Sequence, residues 1–319
     1  MSKTIESISS FELPIDENLE IKRCRFLPDN VDKREIENLK RISIVTGTHG
    51  DELEGQLICF NLSKVIQNNI NYLNGIVDIY PALNPLGVDS ITRGIPDFDL
   101  DMNRLFPGNK EKSMIDANAH NIIESLKGSD IVIDLHASNI FLKEIPQARI
   151  NKDMARYLLS YAKKLNLDFI WIHESSTVLE STLCHSLNVK GTPCIVVELG
   201  VGMRLTKNYC DQLTKGILNL MKSMGIWNDK RAYYVKEPIV STNKDVSLCN
   251  AGASGIFVPC IDHDRIVRKN QKIGEIVDPL EGIVKDDVLS PCDGLVFTLR
   301  EYPVVYEGSL IARILEEVI

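Results

Sequence analysis

No Cys-x-x-Cys pair occurs in the chain, although it holds eight cysteines. The spacings of zinc ribbons and thioredoxin-like redox sites are therefore absent. The thiols at 24, 59, 184, 194, 210, 249, 260 and 292 read instead as reduced, mostly buried side chains of an intracellular protein. Long apolar runs are lacking too. The first ten residues contain no signal-peptide core and no stretch approaches membrane-spanning length, so a cytoplasmic chain without membrane attachment is expected. An excess of basic residues is the third absence: 36 Lys and Arg stand against 44 Asp and Glu, a net charge of −8. That excludes a general nucleic-acid binder, which needs a basic surface. The basic clusters Lys22-Arg23-Cys24-Arg25 and Lys33-Arg34 sit among acids and are expected on a solvated face. What is present, 44% hydrophobic and 25% charged residues over 319 positions, is the make-up of a globular protein with one large or two ordinary domains.

Residues 42–45 read as a buried strand that stops at Gly47 and runs into His49-Gly-Asp-Glu52. Residues 53–66 then carry apolar side chains at helical spacing. A second strand is expected at 75–83, followed by a turn-rich stretch from Asn84-Pro-Leu-Gly87 to Gly108 that holds Arg93, Asn103 and Arg104. Such a long aperiodic stretch inside a domain points to function. A helix over 114–126, a strand over 130–136 ending in His136, a helix over 154–165 and a strand over 169–172 come next. A short helix (180–187), a strand (193–198) ending in Glu198 and a helix (205–224) complete the pattern. A polar leader and an edge strand at 19–27 precede all of these. Strands alternating with helices imply an α/β fold whose mixed, mostly parallel central sheet has helices on both faces.

From residue 238 onward the helical period disappears. Ser254-Gly-Ile-Phe-Val258, leading to Val267 and Ile273-Gly-Glu-Ile276, is echoed by Asp293-Gly-Leu-Val-Phe297, leading to Val304 and Ile311-Ala-Arg-Ile314. Two β-rich halves of nearly forty residues suggest a small barrel or sandwich closed by pseudo-twofold pairing. The expected division is a catalytic domain over 1–230 and a β-rich C-terminal cap over 231–319.

Three strand ends carry the chemistry: His49 with Glu52, His136, and Glu198. Open α/β sheets keep their sites at the carboxyl ends of strands. Two imidazoles and one carboxylate leave a tetrahedral Zn²⁺ one open position, the catalytic arrangement. Taken alone, His49-x-x-Glu52 also reads as a helix start whose acids favour the N-terminal dipole. Asp134 is either an acceptor for the N–H of an imidazole or a solvated strand-end acid. Glu198, a carboxylate ending a buried strand, is either a general base or a structural ion-pair partner. An arginine near a metal, such as Arg93, can stabilise an oxyanion, and a neighbouring Asn–Arg pair such as Asn103 and Arg104 can clamp a carboxylate. Of the other histidines, His173 is the one further site candidate. His185 either packs or lines the pocket, while His120 is expected to face solvent and His263 to lie in a turn.

Together, His49-x-x-Glu52, Asn84-Pro-Leu-Gly87, Arg93, Asp101-Met-Asn-Arg104, Asp134-Leu-His136 and Val197-Glu-Leu-Gly200 recur in the order and approximate spacing of the zinc carboxypeptidase-like fold. The His-Gly-Asp-Glu form and the β-rich C-terminal part resemble the succinylglutamate desuccinylase/aspartoacylase family, and most of all its bacterial predicted deacylase branch. The resemblance spans about residues 40–315. It implies one zinc ion per chain held by His49, Glu52 and His136, with Glu198 as general base and Arg93 assisting the oxyanion. It further implies that Asn103 and Arg104 hold a substrate carboxylate. Met102 stands where the family usually has Leu, and the spacing from Arg93 to Asn103 is looser than in the aspartoacylases proper.

The C-terminal part resembles a lipoyl/biotinyl-type barrel. Carriers of that type need a modifiable lysine commonly flanked by Met, and Lys269, Lys272 and Lys285 have no such flanks. A cap that narrows the cleft, lending it Tyr302 or Tyr306, is the expectation. The reading is a zinc-dependent hydrolase of the amide bond in a small N-acyl amino acid or related carboxylate-bearing amide. A homo-oligomer is compatible with it. The alternatives are a carboxypeptidase acting on short peptides and a non-catalytic carboxylate-binding relative. Pocket walls are expected within 138–149 and 175–182.

Overall fold

The computed structural model describes every residue except 1, 14–16, 30, 33, 97, 175–179, 243–244 and 317–319. The chain opens with a hairpin of β1 (Lys3–Glu12) and β2 (Asn18–Phe26). β3 (Arg41–Val45), α1 (Glu54–Asn68), β4 (Ile76–Tyr80) and the short α2 (Pro85–Ser90) follow. A 3-10 turn (Met102–Arg104), α3 (Met114–Leu126), β5 (Ile131–His136) and β6 (Leu142–Asn151) come next. Then come α4 (Lys152–Ala162), β7 (Phe169–His173), α5 (Leu183–Val189), β8 (Cys194–Gly200) and α6 (Lys207–Ser223). Beyond them lie β9 (Ile239–Thr242), β10 (Val246–Asn250), β11 (Gly255–Pro259), β12 (Arg265–Val267) and β13 (Lys272–Asp278). β14 (Ile283–Leu289), β15 (Gly294–Arg300), β16 (Val304–Val305) and β17 (Leu310–Glu316) end the described chain.

One large mixed sheet runs in the order β1-β2-β4-β3-β5-β8-β6-β15-β17-β10. Its centre is parallel: β3 pairs with both β4 and β5, and β5 with β8. Successive residues of each strand feed opposite faces. Ile131, Ile133 and Leu135 of β5 enter one core with Ile58 and Leu62 of α1 and Leu213 and Ile217 of α6. Val132 enters the other, with Ile122 of α3 and Leu187 of α5. Helices thus cover both faces, and Asp134 and His136 share the Val132 face. No helix among the described residues is long and apolar enough to cross a membrane.

Three local expectations need correction. The polar leader forms β1, which pairs antiparallel with β2 and takes the sheet edge from it. A strand needs ladder partners and β-compatible residues more than continuous apolar content, and Thr, Ile, Ser and Phe supply these. Arg23 and Arg25 are not on a solvated face. Arg25 grips the fully buried Asp78 of β4 with two 2.7 Å bonds, and Arg23 is bonded to Glu6. Lys33 lies outside the described residues. The third correction is β6, a ten-residue strand where none was expected. It runs antiparallel to β8 and tolerates Pro146 because the pairing is irregular between Glu144 and Gln147.

The eight cysteines are free, five of them buried. The C-terminal repeat is realised as reciprocal strand exchange. β11 pairs with β13 of its own half and with β16 of the other, while β15 pairs with β17 of its own half and with β12 of the other. The registers match across the halves: Gly255 faces Val305 and Gly294 faces Val267. This part is stitched to the rest by β15 on β6 and β9 on β7. An apolar cluster of Phe169, Phe297, Ile145 and Leu315 fills the junction, with Trp171 against it. His263 lies in a bend before β12, as expected. It is hydrogen-bonded to the Tyr209 hydroxyl of α6.

Candidate active site

The carboxyl ends of β3, β5 and β8 lie side by side, and from them the chain builds one site. After β3, Gly47 adopts φ +67°, a left-handed conformation suited to glycine, and its carbonyl accepts from the Asn84 backbone N–H at 2.8 Å. The turn then presses Gly50 onto the start of α2. A Cβ on Gly50 would stand 1.9 Å from the Gly87 carbonyl carbon. Two motifs far apart in sequence, His-Gly-Asp-Glu and Asn-Pro-Leu-Gly, are therefore joined by a glycine-to-glycine backbone contact. Asn84 secures it: its Oδ1 accepts from Gly87 N at 3.0 Å and its Nδ2 donates to Gly94 O at 2.9 Å, beside Arg93. Gly50→Ala must force these backbones apart and is expected to cost about 3 kcal/mol or more, toward or beyond the upper end of overpacking penalties. Thermal denaturation of the purified variant checks this; an unchanged melting temperature would show that the contact yields freely.

His49, Glu52 and His136 converge, and one ligand atom from each lies within 4.8 Å of the others. All three are buried, at 3%, 4% and 4% exposure. The Glu52 carboxylate bridges the imidazoles, with Oε1 2.8 Å from His49 Nδ1 and Oε2 2.9 Å from His136 Nδ1. Oε2 also accepts from Ala137 N at 3.1 Å. The outward nitrogens have carboxylates of their own: His49 Nε2 is 3.1 Å from Asp101 Oδ1, and His136 Nε2 is 3.3 Å from Asp134 Oδ1. Asp134 is fully buried and so is not a solvated acid; it faces His136 at ion-pair distance.

The electrostatics follow from this crowding. Burial disfavours the imidazolium at His49 and His136, but the surrounding carboxylates outweigh it and raise both above the ordinary histidine range. Burial likewise acts to raise Glu52, and the two imidazoles overcome it and hold that carboxyl below its ordinary range. Asp101 is lowered to about 2 because His49 outweighs its burial. A buried group of two imidazoles and a carboxylate in this arrangement could hold a divalent ion. Each imidazole would offer one nitrogen while its other is fixed by an acid, as is usual at metal centres.

The other expected residues lie around this cluster. Glu198 is the cross-strand partner of His136. Burial pushes its carboxyl above the ordinary range, against the pull of Arg149. Arg93 donates from Nη1 to Glu52 Oε1 at 3.0 Å. Asn103 is fixed at two points, its N–H donating to Asp101 Oδ1 at 2.8 Å and its Oδ1 accepting from Leu183 N at the start of α5 at 2.9 Å. Arg104 donates from Nη1 to the Asn103 carbonyl at 2.8 Å. His49, Glu52, Arg93, Asn103, Arg104, His136 and Glu198 all line a single cavity of about 690 Å³. His173 lines it, and so does His185, the pocket-lining alternative of the two open to it.

The expected wall at 138–149 is there, contributing Ser138, Phe141, Glu144 and Arg149 among others. Of the wall expected at 175–182, residues 175–179 lie outside the described residues, and Thr182 lines the cavity. Neither Tyr302 nor Tyr306 is among the lining residues. Tyr302 packs edge-on against Phe141 at 5.7 Å between ring centroids, and Tyr306 is exposed. The C-terminal part reaches the cavity instead through Arg313 of β17. Sequence reasoning missed Asp101 as the partner of His49, although it stood in a quoted motif. It placed Glu144 and Arg149 in a wall without foreseeing their ion pairs, and it missed Arg313, because such pairs carry no periodic signal.

The succinylglutamate desuccinylase/aspartoacylase catalytic domain matches residues 38–224. A probable aspartoacylase of Prochlorococcus marinus strain MIT 9301 is 30% identical over 188 residues, which covers 54% of this chain and 57% of that protein. The chain thus spans little more than half the length of the curated relatives it matches. Among solved structures, a succinylglutamate desuccinylase/aspartoacylase from Rhodobacter sphaeroides superposes with a TM-score of 0.80 at 20% identity, covering 99% of this chain and 96% of that one. The product-bound ectoine utilization protein EutE (DoeB) of Ruegeria pomeroyi gives 0.80 at 18% identity, covering 98% and 95%. These likenesses establish the shared fold along nearly the whole chain. With the catalytic-domain match covering more than half of it, the chain belongs to the succinylglutamate desuccinylase/aspartoacylase family.

Proposed function

We propose that the protein is a zinc-dependent deacylase that hydrolyses the amide bond of a small N-acyl amino acid or a related carboxylate-bearing amide. The observation that carries this reading is the buried His49–Glu52–His136 group with Glu198 as its strand neighbour in one cavity. The donor set fits zinc, which takes imidazole nitrogen and carboxylate oxygen and in catalytic sites keeps a position open. When bound, zinc would polarise the amide carbonyl and make water acidic enough to lose a proton near neutrality. Glu198 takes that proton as water adds to the carbonyl carbon, then delivers it to the nitrogen as the C–N bond breaks. Its raised affinity for a proton suits both transfers. Arg93 supplies positive charge where the carbonyl oxygen becomes an oxyanion. Asn103, with its carbonyl oxygen already committed to α5, presents its amide N–H groups, and Arg104 beside it adds a guanidinium. Together they hold the substrate carboxylate.

The test is turnover by the purified, zinc-loaded protein of N-acetyl-L-aspartate, N-succinyl-L-glutamate and N-acetyl-L-leucine, with short dipeptides alongside. Release of the amino acid from an N-acyl substrate, lost on chelation and restored by zinc, is expected. Cleavage of the dipeptides alone would favour a carboxypeptidase, and no hydrolysis of any of them would favour a ligand-binding relative.

A further inference from the structure

Behind Glu198 runs a chain of alternating charges that the proposed reaction does not use. Arg313 Nη1 on β17 is 2.7 Å from Glu144 Oε1, Glu144 Oε2 is 2.7 Å from Arg149 Nη2, and Arg149 Nη1 is 3.1 Å from Glu198 Oε1. Glu144 is fully buried and also accepts from the Thr298 hydroxyl of β15 at 3.4 Å. Both guanidinium carbons lie over the ring of Trp171, at 5.8 and 5.9 Å from its centroid.

We infer that Arg313, Glu144 and Arg149 form a positioning relay through which β17 of the C-terminal part sets the orientation of Glu198. The terminal nitrogens of Arg149 contact Glu144 and Glu198, one each, so Arg149 links the two carboxylates. β6 delivers it: Gln147 faces Glu198 and Arg149 faces Val196 in the antiparallel register, which puts Arg149 diagonally across from Glu198. Arg149 alone would be free to swing about its long side chain. Glu144 fixes its fork, and Arg313 holds the second oxygen of that buried carboxylate, so that two guanidinium groups balance the buried charges of Glu144 and Glu198. Two cations and two anions share one wall, and the outermost member belongs to a strand 115 positions beyond Glu198. These are positioning residues, and the inference rests on the reading of Glu198 as base.

The test is a double-mutant cycle with N-acetyl-L-aspartate, combining Arg313→Met with Glu198→Gln, and with Arg313→Lys as the conservative variant. Arg313→Met is expected to lower kcat about 10-fold with KM nearly unchanged, Arg313→Lys to recover most of the loss, and Arg313→Met to have no further effect once Glu198 is Gln. An unchanged kcat, a rise in KM alone, or the same 10-fold loss on the Glu198→Gln background would overturn the relay. Full activity of Glu198→Gln itself would instead remove the base. Should Arg313→Met fold poorly, Glu144→Gln carries the same comparison. A crystal structure of the Arg313→Met protein decides independently of turnover. Arg149 displaced from Glu198 is expected, and an intact contact would refute the relay.

Discussion

Glu198→Gln is expected to reduce kcat by a factor on the order of 10²–10⁴, the usual contribution of a positioned general base. The metal content of the protein should not change. The substitution is nearly isosteric, and the remaining carbonyl oxygen can still accept from Arg149, so the wall of the cavity keeps its shape. What is lost is the ability to take up a proton. Because Glu198 is separate from the His49–Glu52–His136 group, the two properties are divisible. Measuring kcat alongside bound zinc per chain tests both at once, and near-normal turnover in a zinc-replete variant would end the assignment.

Glu52→Ala should have the largest effect on both metal and stability. This carboxylate is the meeting point of two imidazoles, the Arg93 guanidinium and the Ala137 N–H. Its removal leaves basic groups converging on a buried space with nothing between them. Breaking a buried pair from one side costs about 3–5 kcal/mol, and a three-donor site reduced to two imidazoles should no longer retain zinc against a mild chelator. Glu52→Gln separates the two effects, because it restores a hydrogen-bond acceptor without the charge. Zinc titration and melting curves of both variants measure the outcome. Undiminished zinc affinity in Glu52→Ala would show that the ion is held elsewhere.

The parts of this architecture legible in the sequence were those with a local signal. Helix 114–126 was read to the residue, because Ser113 caps it and apolar positions recur at helical spacing until Gly128. The strand ends bearing His49, His136 and Glu198 were legible because buried apolar runs stopped abruptly at chemically unusual residues. β6 was not, since Lys143, Glu144, Pro146 and Gln147 interrupt any alternation and the strand is justified by its neighbours. A related reason hid Arg313 and the ion pairs that Glu144 and Arg149 make. An ion pair between residues 169 positions apart leaves no trace in a pattern read along the chain. Tyr302 or Tyr306 was expected to reach the cleft from the C-terminal part, and neither lines it. The register of β17 delivers an arginine there instead.

The strand pairing of the C-terminal part makes one late strand serve both the sheet and the cavity. β17 is the shared partner of β10 and β15, and it also carries Arg313. A nascent polypeptide halted before residue 310 would already possess its histidines and its acids. It would still lack the segment that locks both ends of the sheet extension and closes the wall behind Glu198. β17 is thus the strand on which the sheet extension and the wall behind Glu198 both depend.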